Sequence, residues 1–156
     1  MKLLRVGEHG KEIPAIIDSQ NNLRNLSKII NDFTPENLNF EILDKIKELN
    51  LNSLPLINNN QRIGPCVIKP ANFIAIGLNY KAHAEETNSD APTEPIVFNK
   101  SPNCITGPND NIVIPKKSKS LDHEVEIALI IGSKAKYIKE DEAQDYVLGY
   151  CICNDI

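Results

Sequence analysis

The sequence predicts a β-rich α+β protein in two parts. Three observations carry this. Short apolar runs with strand character, such as "FIAIG", "PIVFNK" and "EVEIALIIG", outnumber helical stretches. Pro55, Pro65 and Pro70 punctuate one segment that reads as loop and linker. Strands with few helices, without a regular βα alternation, point to an all-β or α+β core. The expected division is a small N-terminal domain over 1–67 and a second, larger core over 71–156.

In the first part, "KLLRV", "PAIID" and "NLRNL" are strand candidates, with "SQNN" as the turn between the last two. "TPENLNFEILDKIKELN" follows and predicts a helix. Thr34 suits an N-cap, Pro35 the first helical position, and Glu36 the positive end of the dipole. Phe40, Leu43, Ile46 and Leu49 recur at helical spacing, a stripe that reads as packing.

The second part opens with a strand in "NFIAIGLNY" ending at Gly77. "KAHAEETN" is a short polar helix or loop. "EPIVFNK", "NIVIP" and "EVEIALIIG" are strands. "KEDEAQDYVLGY" reads as a helix with acids in its first turns. "YCICND" is a last strand, and the sequence stops while it is still running. A sheet needs its edges paired or covered, so these 156 residues are expected to be the front part of a longer enzyme.

Bulk properties exclude several functions. A net charge of −4 and a pI near 5.4, with no basic stripe, argue against nucleic-acid binding. No apolar run approaches the ~20 residues of a membrane-spanning helix, and the N-terminus lacks a signal-peptide core. A cytoplasmic protein is expected. Cys66, Cys104, Cys151 and Cys153 form no CxxC pair, which sets aside zinc-ribbon and thioredoxin-like sites. Thiols buried in a reducing compartment are expected.

The run "SLDHEVEIALIIG" carries the chemistry. Residues two apart on a strand share a face, so Asp122, Glu124 and Glu126 line up. From Val125 onward the other positions on both faces are apolar, the pattern of a strand buried on both sides. Neighbouring carboxylates ~6.7 Å apart repel by about 0.6 kcal/mol in water and roughly 2.5 kcal/mol at an effective dielectric of about 20. At a wet sheet rim such a row is harmless. Half-buried, it needs a cation, and a divalent metal with oxygen ligands answers that need. The spacing alone leaves both readings open.

His83 follows a strand end, with Glu86 three residues on. On a helix the pair shares a face, so it is either a general base steadied by an acid or a solvated ion pair. His123 alternates away from the acids and reads as a packing or supporting residue. Lys100, at the end of "IVFNK", either meets an anionic substrate or solvates a strand end. Asp155 ends the last strand.

The ordered set of "GLNY", His83, Glu86, "PIVFNK", "GPNDNIVIP", "LDHEVEIALIIG" and "GYCICNDI" resembles the fumarylacetoacetate hydrolase family over residues 73–156. The segment "MKLLRVGEHGKEIPAIID" also resembles the small N-terminal domain of its bacterial branch. Members of that branch carry names such as 2-hydroxyhepta-2,4-diene-1,7-dioate isomerase, ureidoglycolate lyase and diketo-deoxy-sugar-acid hydrolase. The resemblance implies a catalytic core of mixed, rolled β-sheets, of which this chain holds the first part, in a homodimer when full length. It implies Glu124, Glu126 and Asp155 as ligands of Mg²⁺ or Mn²⁺, with Asp122 left as an orienting or structural residue. It implies His83 and Glu86 as the catalytic pair on a lid-like segment, and Lys100 and Tyr80 as substrate-binding residues. The implied activity is metal-dependent hydrolysis of a C–C bond in a 2-oxo or diketo acid. Decarboxylation, isomerisation and ureidoglycolate-type lyase chemistry remain alternatives, as does a truncated, non-catalytic fragment. The motifs do not select the substrate.

Overall fold

A computed structural model describes all of residues 1–156. Contacts group residues 1–68 with 106–156 in one unit and place 69–105 in a second.

The first unit opens with four antiparallel strands in sequential order. These are β1 (Leu3–Val6), β2 (Ile13–Ile17), β3 (Leu23–Asn25) and β4 (Leu56–Ile57). The β2–β3 turn is closed by Asp18, whose Oδ1 accepts from the backbone N–H groups of Gln20 and Asn22. Alternation along β2 sends Ile16 and Ala15 to opposite faces, and each face has its own apolar cluster. Ile16 packs with Leu26, Ile30, Phe33 and Ile46. Ala15 packs with Val6 and Leu23. Ile46 comes from α1 (Phe40–Lys47), whose buried residues Leu43 and Ile46 keep the predicted spacing.

The helix begins later than the sequence suggests. Asn39 is its N-cap, in extended conformation, and its Oδ1 accepts from the Ile42 N–H at 3.0 Å. Thr34 instead starts a separate turn, its carbonyl accepting from Asn37 and Leu38. Asn is a poor interior helix residue and a good cap, so Asn37 and Asn39 favour the later start.

Two charged groupings are built into this unit. Arg24 donates from Nε to Asp18 at 2.8 Å and from Nη1 to the Leu54 carbonyl. Arg5 is almost fully buried and grips Asp32 with both Nε (2.6 Å) and Nη2 (2.9 Å). A fork of this kind is a strong geometry for a buried pair. Glu12 bridges Arg5 to Arg62, and Arg62 in turn holds both oxygens of Asp110. Asp110 also accepts from the Thr106 hydroxyl and the Gly107 N–H. The loop from Thr106 to Asp110 thereby lies against Ile63 and Gly64, and a Cβ at Gly107 would collide with the Ile63 carbonyl. Arg62, first among its neighbours, holds the Asp110 carboxyl well below the usual range.

Also in this unit, β7 (Glu124–Ile131) and β8 (Val147–Asp155) pair antiparallel. A 3₁₀ segment, Glu140–Tyr146, joins them where the sequence suggested an α-helix. Gly132 N–H donates to the Tyr146 carbonyl, and the Tyr150 hydroxyl donates to Gln144. A Cβ at Gly132 would press on the Leu148 and Phe40 side chains, which would have to shift to admit it.

The second unit holds β5 (Phe73–Gly77), α2 (Lys81–Glu86) and β6 (Ile96–Lys100), with β5 antiparallel to β6. "NIVIP" is not a strand: Ile112, Val113 and Ile114 are exposed and pair with nothing in the sheets. Apolar alternation marks a strand only where a partner edge exists.

The Asp18 turn gives a prediction with a definite sign. Backbone donation from Asn22, and then Arg24, lower the Asp18 carboxyl to about 2 from an ordinary 3.8. A depressed folded-state value stabilises above the unfolded value and is lost as pH falls through the folded one. Asp18→Asn is therefore expected to lower the urea midpoint at pH 7, with the gap to the parent closing between about pH 4 and pH 2. A gap that stays constant over that range would show that the Asp18 charge is not what stabilises the turn.

Candidate functional site

Register decides which acids on β7 and β8 belong together. Glu124 lies directly opposite Asp155, and Glu126 opposite Cys153. Directly opposed residues in an antiparallel pair share a face, as do residues two apart. Glu124, Glu126 and Asp155 therefore stand on one face of the hairpin, with Cys153, Ala128 and Cys151 continuing it. Glu126 and Asp155 are half-buried and Glu124 is exposed. The donors are three carboxylates, the hard oxygen chemistry suited to Mg²⁺ or Mn²⁺. The side chains stand apart: no group of three His, Cys, Asp or Glu side chains is gathered closely enough to hold an ion.

The other face of the hairpin differs from expectation. Val125, Ile127, Leu129, Ile131 and Ile152 are all large, apolar and exposed, Val125 by 71% and Ile152 by 84%. The sequence reads as a strand buried on both sides. In this chain only the carboxylate face is partly covered, because no element packs on the other. Strand β7 also starts at Glu124, so Asp122 lies before it and is not in line with the pair. His123 is likewise exposed, not packed, with its Nδ1 3.4 Å from Asp122.

In the second unit, His83 and Glu86 lie on α2 at i and i+3. The His83 Nδ1 is 3.9 Å from a Glu86 oxygen, too long for a hydrogen bond but within ion-pair range. Both side chains are open to solvent, at 51% and 81% exposure. This geometry turns Nδ1 toward the acid. Tyr80 caps α2 in extended conformation and is exposed. Before it, Leu78 sits at φ +48°, a left-handed conformation that costs a non-glycine residue of order 1–3 kcal/mol. The strain thus falls on the residue that follows Gly77 at the end of β5. Lys100 ends β6 with its Nζ 5.6 Å from the Phe98 ring centroid. It also lines an open hollow of about 350 Å³ with Asn72, Phe73, Asn99 and Pro102.

Sequence reasoning missed the Arg5–Glu12–Arg62–Asp110 chain and the approach of Cys66 to Cys151 at 3.6 Å. Both join residues far apart in sequence. The forward signal was slight: Arg5 within the apolar run "KLLRV" and Cys151 within the strand candidate "YCICND".

The family model described as "Fumarylacetoacetate (FAA) hydrolase C-terminal" matches residues 72–156, just over half of the chain. A provisionally named hydrolase of Burkholderia orbicola (strain MC0-3) is 45% identical over all 156 residues, which make up 55% of its own length. The fumarylacetoacetate hydrolase of psychrophilic Exiguobacterium antarcticum has a similar structure, with a TM-score of 0.77 at 25% identity. That match covers 99% of this chain and 55% of the other. A protein from Mycobacterium abscessus described as a probable 2-hydroxyhepta-2,4-diene-1,7-dioate isomerase aligns with a TM-score of 0.72 at 30% identity, over 99% of this chain and 52% of its own. The chain thus spans about half the length of the relatives it matches.

Proposed function

The chain belongs to the fumarylacetoacetate hydrolase family, and on that premise we propose that it serves the hydrolysis of a C–C bond in a small 2-oxo or diketo acid, with Glu124, Glu126 and Asp155 holding Mg²⁺ or Mn²⁺. What supports the reading is the shared face of three carboxylates contributed by β7 and β8. A divalent ion held by them supplies Lewis-acid stabilisation of the negative charge that develops on the oxo acid.

The chain's own groups divide the remaining work. His83 is the general base. With Nδ1 turned to Glu86, its Nε2 is left to take a proton from water. Glu86, 3.9 Å from Nδ1, orients the ring. The hydroxide equivalent adds to the carbonyl carbon, the C–C bond breaks, and the proton returns to the departing carbon. Lys100 and Tyr80 bind the anionic substrate, Lys100 by charge and Tyr80 through its hydroxyl. The proposed setting is cytoplasmic, with the full-length protein a homodimer.

A second reading is isomerisation, favoured by the 30% identity to the probable isomerase of M. abscessus. The two differ in one atom. Hydrolysis puts a solvent oxygen into a carboxylate product, and isomerisation does not.

The test has two arms. Acylpyruvates and oxaloacetate are offered with Mg²⁺ or Mn²⁺ in ¹⁸O-water. Label in the carboxylate newly formed at the cleaved bond and loss of turnover by at least 100-fold in Glu126→Gln and His83→Ala are expected. Turnover without label would replace hydrolysis with isomerisation or decarboxylation. Separately, Mn²⁺ at 100 times its Kd should stabilise the parent chain by about 2.7 kcal/mol, and Glu126→Gln should abolish the effect. Equal stabilisation of the variant would remove Glu126 from the ligand set.

A further inference from the structure

Outside the carboxylate set, one pair of nucleophilic side chains is brought together from distant parts of the same unit. Cys66 and Cys151 lie 85 positions apart in sequence, yet their sulfurs are 3.6 Å apart and share a hydrogen bond. Both are half-buried thiols. Neither sulfur sits on a loose segment. The Gly64 N–H donates to the Arg5 carbonyl at 2.8 Å and the Ile68 N–H to the Phe33 carbonyl at 2.9 Å, so Cys66 is held on both sides. Cys151 is in the middle of β8, directly opposite Ala128, the smallest side chain on its face of β7. A disulfide needs the sulfurs to approach to ~2.05 Å, a closure of about 1.5 Å from the observed separation, within reach of side-chain rotation.

We propose that Cys66 and Cys151 form a reversible dithiol–disulfide site, oxidised by exchange with a low-molecular-weight disulfide and opened again by small thiols. The Cys66 thiolate attacks one sulfur of the small disulfide. A mixed disulfide forms on Cys66, and the first small thiol leaves. The Cys151 thiolate then attacks the Cys66 sulfur and displaces the second small thiol. Two protein thiols are oxidised, one small disulfide is reduced to two thiols, and both protons end on the products or solvent.

The environment assigns the order. Hydrogen bonding with Cys151 lowers the Cys66 thiol most, with help from the Val67 and Cys66 backbone N–H groups and the Arg5 charge. Hydrogen bonding with Cys66 and burial push Cys151 the other way. Attack is by the thiolate, so Cys66 leads and Cys151 resolves. Cys153 is two residues along the same face as Cys151 but opposes Glu126, and Cys104 is exposed in the second unit. The site does not depend on the metal reading above.

The test uses the reduced chain with excess oxidised glutathione, trapped by alkylation and mapped by mass spectrometry without reduction. Expected is one crosslinked peptide joining Cys66 to Cys151, with alkylatable thiols falling from four to two and returning to four with dithiothreitol. Cys151→Ser should stop at a glutathione mixed disulfide on Cys66. Cys66→Ser should slow loss of the Cys151 thiol at least tenfold. The proposal is overturned if the parent chain joins another pair, or if Cys66 and Cys151 stay alkylatable while Cys104 is glutathionylated. Because the parent chain alone decides this, poor folding of a variant does not.

Discussion

Everything proposed for the site depends on the register of β7 against β8. A strand alternates its faces with a period of two, so a slip of one residue between β7 and β8 would put Glu124 and Glu126 on the face opposite Asp155. With Glu124 opposite Asp155, the three carboxylates fall on the partly covered face and Val125, Ile127 and Leu129 on the exposed one. Turn chemistry helps to hold this register. β7 ends at Ile131, Gly132 follows it close against the Leu148 and Phe40 side chains, and the 3₁₀ segment returns the chain at Tyr146.

The first unit uses a different device to bring sequence-distant segments together. Its apolar clusters belong to the four-stranded sheet and α1. The tie to residues 106–110 is charged: Arg5 to Glu12, Glu12 to Arg62, Arg62 to Asp110. Buried ion pairs bring little net stability over apolar packing but are costly to break singly. Their use here fixes one loop in one place, with both carboxylate oxygens of Asp110 occupied. The Cys66 segment runs directly on from Arg62 and Gly64, so the same network positions a sulfur near β8.

Much of this was legible in the residues. The three N-terminal strands, β5, β6, β7 and β8 follow from period and composition, α2 was left as helix or loop, and β4 lies in a segment that reads as loop. What failed did so for identifiable reasons. "NIVIP" alternates like a strand but meets no partner edge. Thr34 and Pro35 form a good helix start, yet Asn39 is a better one nearer the apolar stripe. "EVEIALII" is apolar on both faces, but covering each face takes a packing element that local sequence does not reveal. The candidate acids were visible as residue types. That Glu124 faces Asp155 rather than Asn154 is a matter of register, which lies in the pairing of distant strands. The Cys66–Cys151 approach and the Arg62–Asp110 pair are tertiary facts of the same kind.

The central claim is that Glu124, Glu126 and Asp155 act as one oxygen-donor set. Paramagnetic broadening of backbone amide signals by substoichiometric Mn²⁺ tests it without reference to any substrate. The account predicts that the amides of these three residues and their strand neighbours broaden first and together. Preferential broadening elsewhere, at the acidic run Glu140–Glu142 for example, with the β7–β8 signals unchanged, would contradict it.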